Sequence, residues 1–94
     1  MSSAPPPDFR FILFERVNPA KNESRFYYLA WQATLFDEGA VVRLYGRKGG
    51  WQISLSPRPF SSLSEAWPFM RQIIRKRLRR GYRIVMPTHY RTLF

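Results

Sequence analysis

The sequence predicts an α+β fold: a mainly antiparallel β-sheet of four to five strands with one long α-helix packed across it. Three observations predict it. As far as Leu55, apolar residues recur largely at alternate positions, in runs cut by short turns rich in Gly, Pro, Asn and Asp. After Ser62 the apolar spacing lengthens to the 3.6-residue period of a helix. With 94 residues, 45% hydrophobic and 17% aromatic, the chain is long and apolar enough for one domain with its own core.

Residues 1–8 contain Pro5, Pro6 and Pro7 and lack the basic and apolar stretches of a secretion signal, so a disordered, Pro-rich lead is expected. The domain proper spans 9–86, and 87–94 forms a tail. Residues 9–16 form a first strand, with Phe9, Phe11 and Leu13 on one face and Arg10, Ile12, Phe14 and Arg16 on the other. Both faces are partly apolar, which fits one covered side and one incompletely exposed side. Asn18, Pro19 and Asn22 break this run. Residues 25–35 make the longest strand, crowded with Phe26, Tyr27, Tyr28 and Trp31. Phe36, Asp37, Glu38 and Gly39 turn the chain into a third strand over 40–45, β-branched at Val41 and Val42. A glycine-rich loop leads into a fourth strand over 51–55. Pro57 and Pro59 are then expected to end the ladder, because neither donates an N–H.

Ser62 and Glu65 stand at capping-box spacing and open the helix. Leu63, Ala66, Trp67, Met70, Ile73, Ile74 and Leu78 share one face, and Gly81 is placed to stop the helix. Arginines in the last turns suit the negative end of the helix dipole. Two residues fit poorly. Pro68 removes an interior hydrogen bond and predicts either an irregular start or a regular part that begins nearer Trp67. Arg77 falls on the apolar face and must snorkel at its edge. Residues 82–86 form either a short final strand or an extended return along the sheet. The tail aromatics Tyr90 and Phe94 either pack back or meet a partner.

Sixteen Lys and Arg against six Asp and Glu give a net charge of +10. Beyond Glu65 there is no acid at all, and Arg71, Arg75, Lys76, Arg77, Arg79, Arg80, Arg83 and Arg91 supply eight of those charges. Such a balance favours polyanions, nucleic acid before anionic membrane. On the helix, Arg71, Arg75 and Arg79 form an i, i+4, i+8 row flanked by Lys76 and Arg80. A face serving only solubility mixes signs, so this row is a candidate phosphate-binding surface.

A second candidate is the loop around Tyr45, Gly46, Arg47, Lys48, Gly49, Gly50 and Trp51. It offers aromatic rings, two cations and backbone freed by glycine, a combination suited to the sugars and phosphates of nucleic acid. The same residues also suit a plain β-hairpin with charged side chains in water.

Catalytic chemistry finds little support. The chain has no cysteine, so disulfides and thiolate metal sites are excluded. His89, the sole histidine, has no acid near it in sequence, and Asp37 and Glu38 are adjacent in a turn where side chains diverge. No phosphate-loop or dinucleotide fingerprint is present. The expectation is a cytoplasmic, non-enzymatic binding protein with no cofactor, metal, membrane span or small-molecule substrate.

The chain resembles the WGR domain family from about Arg10 to Arg83. Asn18, Pro19, Ala20, Lys21 and Asn22 precede Arg25, Phe26 and Tyr27; Leu35 and Phe36 follow; Val42 and Arg43 lead into Tyr45, Gly46 and Arg47. Gly49, Gln52, Phe60, Ser64, Glu65, Ala66, Arg79, Arg80, Gly81 and Tyr82 complete the order and spacing. The chain is most similar to the single-domain bacterial members. The resemblance implies a sheet crossed by one helix. In poly(ADP-ribose) polymerases, the domain binds DNA near a break, its motif tryptophan against a terminal sugar and its motif arginine contacting other domains. Tyr45 stands in the tryptophan's place and Arg47 in the arginine's. Tyrosine has a smaller ring face, and Arg47 has no sister domain within this sequence. The loop is also one residue shorter before Gln52, with Trp51 where glycine is common. Trp51 either supplies the lost aromatic surface or serves as strand packing.

The resulting expectation is DNA binding with preference for ends, nicks or junctions, and RNA as a related ligand. Phosphates would meet Lys48, Arg71, Arg75, Lys76, Arg79 and Arg80, while Tyr45 and Trp51 would contact sugar or base. The alternative is a protein-interaction module that self-associates or docks a partner.

Overall fold

The computed structural model describes residues 4–36 and 38–94. The first three residues of the Pro-rich lead, and Asp37 in the turn at 36–39, lie outside the described residues. Strands β1 (Phe11–Asn18) and β2 (Glu23–Ala33) are joined by a 3-10 turn, Pro19–Lys21, which Asn22 closes in the left-handed conformation at φ 50°. Then come β3 (Gly39–Arg47), β4 (Gln52–Ser54), β5 (Arg58–Phe60), helix α1 (Leu63–Arg79), β6 (Arg83–Met86) and a 3-10 segment, Thr88–Thr92. The sheet has six strands in the order β4-β3-β2-β1-β6, with β5 also on β3, and every pairing is antiparallel.

Strand β5 corrects the expectation that the ladder ends at Pro57. Pro59 lies opposite Ala40 and Arg58 opposite Val41. A proline is tolerated there because β5 is an edge strand, which needs donors on one side only.

Alternation divides the sheet into two unlike faces. Ile12 and Phe14 of β1, Tyr27 and Leu29 of β2 and Val41 of β3 point to the helix and are buried. On the other side Phe11, Leu13, Phe26, Tyr28, Val42 and Leu44 are half-buried, with Phe11 stacked on Tyr28 at 5.7 Å. Phe9 joins the buried core with Trp67, Met70 and Ile74 of the helix.

Ser62 caps α1 as its spacing requires, its Oγ accepting from the Glu65 N–H at 3.2 Å. Pro68 does not delay the helix, which runs unbroken through it from Leu63. An interior proline costs about 3 kcal/mol, whereas burying Trp67, Met70 and Ile74 contributes about 1.5–3 kcal/mol each. Packing wins. Gly81, at φ 87°, ends the helix in a Schellman motif: its N–H donates to Leu78 O and the Tyr82 N–H to Arg77 O.

The chain then returns to the sheet as β6, pairing with β1. Residues 87–94 pack back onto the core. Tyr90 is buried and stacks on Phe9 at 5.8 Å, Phe94 meets Trp67 at 6.1 Å, and Arg91 Nε donates to Ile84 O at 2.7 Å.

Candidate nucleic-acid interface

The β3–β4 connection is a tight hairpin. The Gly50 N–H donates to Arg47 O and the Arg47 N–H to Trp51 O, while Gly49 takes a positive φ of 73°. Gly46 is buried inside β3, and a Cβ there would collide with the Trp51 carbonyl and the Gln52 Cα. Its local role is to let the two strands approach. The cations flanking this turn are engaged. Arg47 Nη1 donates to Asn22 O at 3.1 Å, which ties the hairpin to the left-handed residue between β1 and β2. Lys48 Nζ forms an ion pair with Glu15 at 2.8 Å.

Tyr45 is half-buried on the helix-bearing side of the sheet, its ring stacked on Tyr27 at 6.0 Å and 12°. Trp51 is the more open ring. It is 48% exposed, with the Arg25 guanidinium 5.0 Å from its centroid. The hairpin therefore presents its larger aromatic at the position one residue before β4.

The helix cations do not all gather beside these rings. Phe69 meets Phe60 of β5 at 5.8 Å and Arg77 lies over Tyr27 of β2, so this flank of α1 faces the β3–β5 side. Trp67 and Leu78 lie toward Phe94 and Tyr82. Helical spacing puts Arg71 and Arg75 on the Trp67–Leu78 flank or just beyond it. Arg75, Lys76, Arg79 and Arg80 are exposed and Arg71 is half-buried. The Arg80 carbonyl accepts from Arg16 Nη1 at 2.8 Å.

A different set of arginines surrounds the rings. Arg77 lies 4.7 Å from the Tyr27 centroid and 5.3 Å from that of Tyr82. Arg43 sits over Phe69 at 5.3 Å, and Arg58 over the same ring at 4.3 Å. Arg16 covers Tyr82 at 5.0 Å and pairs with Glu23 at 2.7 Å. The signal for this set was present but spread out. Arg25, Tyr27, Arg43 and Tyr45 are all odd-numbered, and the Tyr27–Tyr45 register puts all four on one face. Burial raises the Tyr27 hydroxyl pKa above 10.0, and the charges of Arg43 and Arg77 oppose that shift. Both guanidiniums thus act on the same phenol.

Among the described residues, no group of three or more His, Cys, Asp or Glu is arranged to hold a metal ion. Among them, too, no helix is long and apolar enough to cross a membrane. What the fold and this surface define is a small, strongly basic sheet-and-helix domain of binding type. The chain belongs to the WGR domain family, whose model matches residues 10–88, nearly the whole sequence. No curated protein and no solved structure matches it.

Proposed function

We propose that this WGR domain is a non-enzymatic nucleic-acid-binding module, taking DNA foremost at ends, nicks or single-strand junctions. The observation that carries this reading is the association of exposed Trp51 with Arg25, beside Tyr45 and Arg47 on one hairpin. A flat ring with cations around it suits an exposed sugar or base next to a phosphate. Gly46 lets the strands close so that Trp51 stands at the turn. Arg75, Lys76, Arg79 and Arg80, with Arg71, add the wider positive field that draws a polyanion. Lys48 reaches phosphate by exchanging Glu15 for it.

The test is a mobility-shift comparison of blunt duplex, nicked duplex, single-stranded DNA and RNA over a range of salt. With about five phosphates neutralised, log K falls against log salt with a slope of roughly −4 to −5 for duplex DNA. A salt-insensitive isotherm would remove the electrostatic basis of the reading.

A second reading, docking of a protein partner, is favoured by the β2–β3 connection. Leu35 and Phe36 are 97% and 81% exposed there. Light scattering of the wild type and of a Leu35→Ser, Phe36→Ser variant tests self-association through that tip. An unchanged monomer in both would leave this reading without its simplest form.

A further inference from the structure

We infer that the seam where the Phe69–Arg77 flank of α1 meets the β3–β5 side of the sheet is a track for single-stranded nucleic acid, held by Arg25, Arg43, Arg58 and Arg77. This rests on the nucleic-acid-binding reading above and adds the strand state and the residues that select it.

The four side chains form a connected series. Arg58 and Arg43 share the Phe69 ring, Arg43 and Arg77 both act on the Tyr27 hydroxyl, and Arg25 lies two residues before Tyr27 on the same face. From Phe69 to Arg77 the helix advances about 12 Å, room for more than one phosphate. Each guanidinium is seated on a ring, so less rotamer freedom remains to be lost on binding. Among the described residues, none of the four is paired with a carboxylate, whereas Arg16 pairs with Glu23 and Lys48 with Glu15. Half-buried Arg25, Arg43 and Arg77 still reach the surface, where a phosphate oxygen is a strong, charge-assisted acceptor for a guanidinium. Arg16 is excluded from the set because Glu23 and the Arg80 carbonyl already occupy it.

Recession selects the strand state. Arg25, Arg43 and Arg77 are half-buried at the seam of sheet and helix, which a thin, flexible strand follows more closely than a rigid duplex. A single strand is thin and flexible enough to enter, and its unstacked bases find flat guanidinium and ring faces.

The decisive measurement follows the arginine Nε–H resonances of the wild-type protein during titration. The probes are oligodeoxythymidylate and oligouridylate of about twelve nucleotides, and a DNA duplex of the same length. The track predicts tighter binding of a single strand than of the duplex, with the Arg25, Arg43 and Arg77 signals shifting. Arg25→Gln and Arg58→Gln each lower affinity by about fivefold or more and reduce the single-strand salt slope by about 0.7, whereas Arg75→Gln and Arg79→Gln change affinity by less than about twofold. Arg77→Lys keeps the charge but loses the planar fork, and weakens binding several-fold. Circular dichroism confirms that each variant is folded, and the wild-type titration needs no variant. Binding of either single strand supports the track, and the difference between them assigns the sugar. Tighter binding of duplex than of single strand, unmoved Arg25, Arg43 and Arg77 signals, or equal losses from Arg75→Gln and Arg79→Gln, would each overturn the track alone. No binding of any oligonucleotide would overturn the parent reading with it.

Discussion

Arg75, Lys76 and Arg79 of α1, with Arg80 just after it, stand exposed, whereas Arg25, Arg43, Arg58 and Arg77 each lie over an aromatic ring on the helix-bearing side of the sheet. The side chains carry the same formal charge but differ in what holds them. The exposed set keeps its rotamer freedom and its full hydration, so it acts chiefly as a long-range field. Such a field raises association rates and fades as salt rises. In the ring-seated set Arg25, Arg43 and Arg77 are half-buried and Arg58 is exposed, but all four are oriented by a ring. Their contacts in the proposed binding therefore form at short range and slow departure. In the proposed binding, position on the fold, and not charge count, divides attraction from retention.

The strongest way to break the comparison is to loosen the helix that carries members of both sets. Trp67 is only 1% exposed, and Trp67→Ala is expected to cost about 3–5 kcal/mol of stability in urea unfolding. A loss below about 1 kcal/mol would show that α1 is not anchored through this residue, and the two flanks would have no fixed orientation.

The two hairpin rings sharpen the contrast at the next level. Trp51→Ala is expected to weaken nucleic-acid binding by about 1–3 kcal/mol with little change in stability, because the ring is half open. Tyr45→Ala should shift the balance, costing more stability through its lost stack on Tyr27 and less binding than Trp51→Ala. Paired titrations and melts of the two variants measure this, and identical profiles would erase the distinction between a seated and an open ring.

A pH series probes the ring-seated side through Tyr27. Burial raises the Tyr27 pKa above its unfolded value of 10.0, so its contribution is fully present below that value. It is lost as pH rises through the folded value, when the phenolate must form in a desolvated place. Tyr90 shifts in the same direction, chiefly by burial and also through Asp8. Urea unfolding at increasingly alkaline pH should show declining stability, with a shallower decline in Tyr27→Phe. An unaltered slope in that variant would mean that Tyr27 does not titrate as its burial requires.

The smallest effect belongs to the exposed set. Arg75→Glu replaces a repulsion with Arg79 by an i, i+4 attraction, and should gain about 0.2–0.5 kcal/mol in thermal unfolding. The same change should slow association with a polyanion, read by stopped-flow mixing.

Much of this architecture was legible in the sequence because its causes are local. The capped start at Ser62, the stop at Gly81 and the apolar face through Trp67, Met70 and Ile74 depend on neighbours within a few positions. Two local rules were outweighed. Pro68 was expected to disturb the helix start, but the burial around it dominates. Pro59 was expected to end pairing, but an edge strand accommodates it. The exposed helix row could be found by periodicity alone, and its residues could be named. Arg77 was visible as a misfit on the apolar face, but its partners Tyr27 and Tyr82 lie on other elements. Arg43 and Arg77 converge only because Arg43 leaves β3 on the sheet face that α1 covers, beside Tyr27 of β2, a fact of register and topology. Trp51 was left between two roles because exposure cannot be read from a hairpin sequence.

The two three-residue strands on β3 have a consequence for life at high local concentration. Both β4 and β5 end after three residues, and Pro57 and Pro59 interrupt the row of donors along that rim. A neighbouring molecule would find no long, regular border to copy, so strand-by-strand fusion of chains has nowhere to propagate. Crowding many copies along one polymer therefore carries little risk of amyloid-like growth from that border.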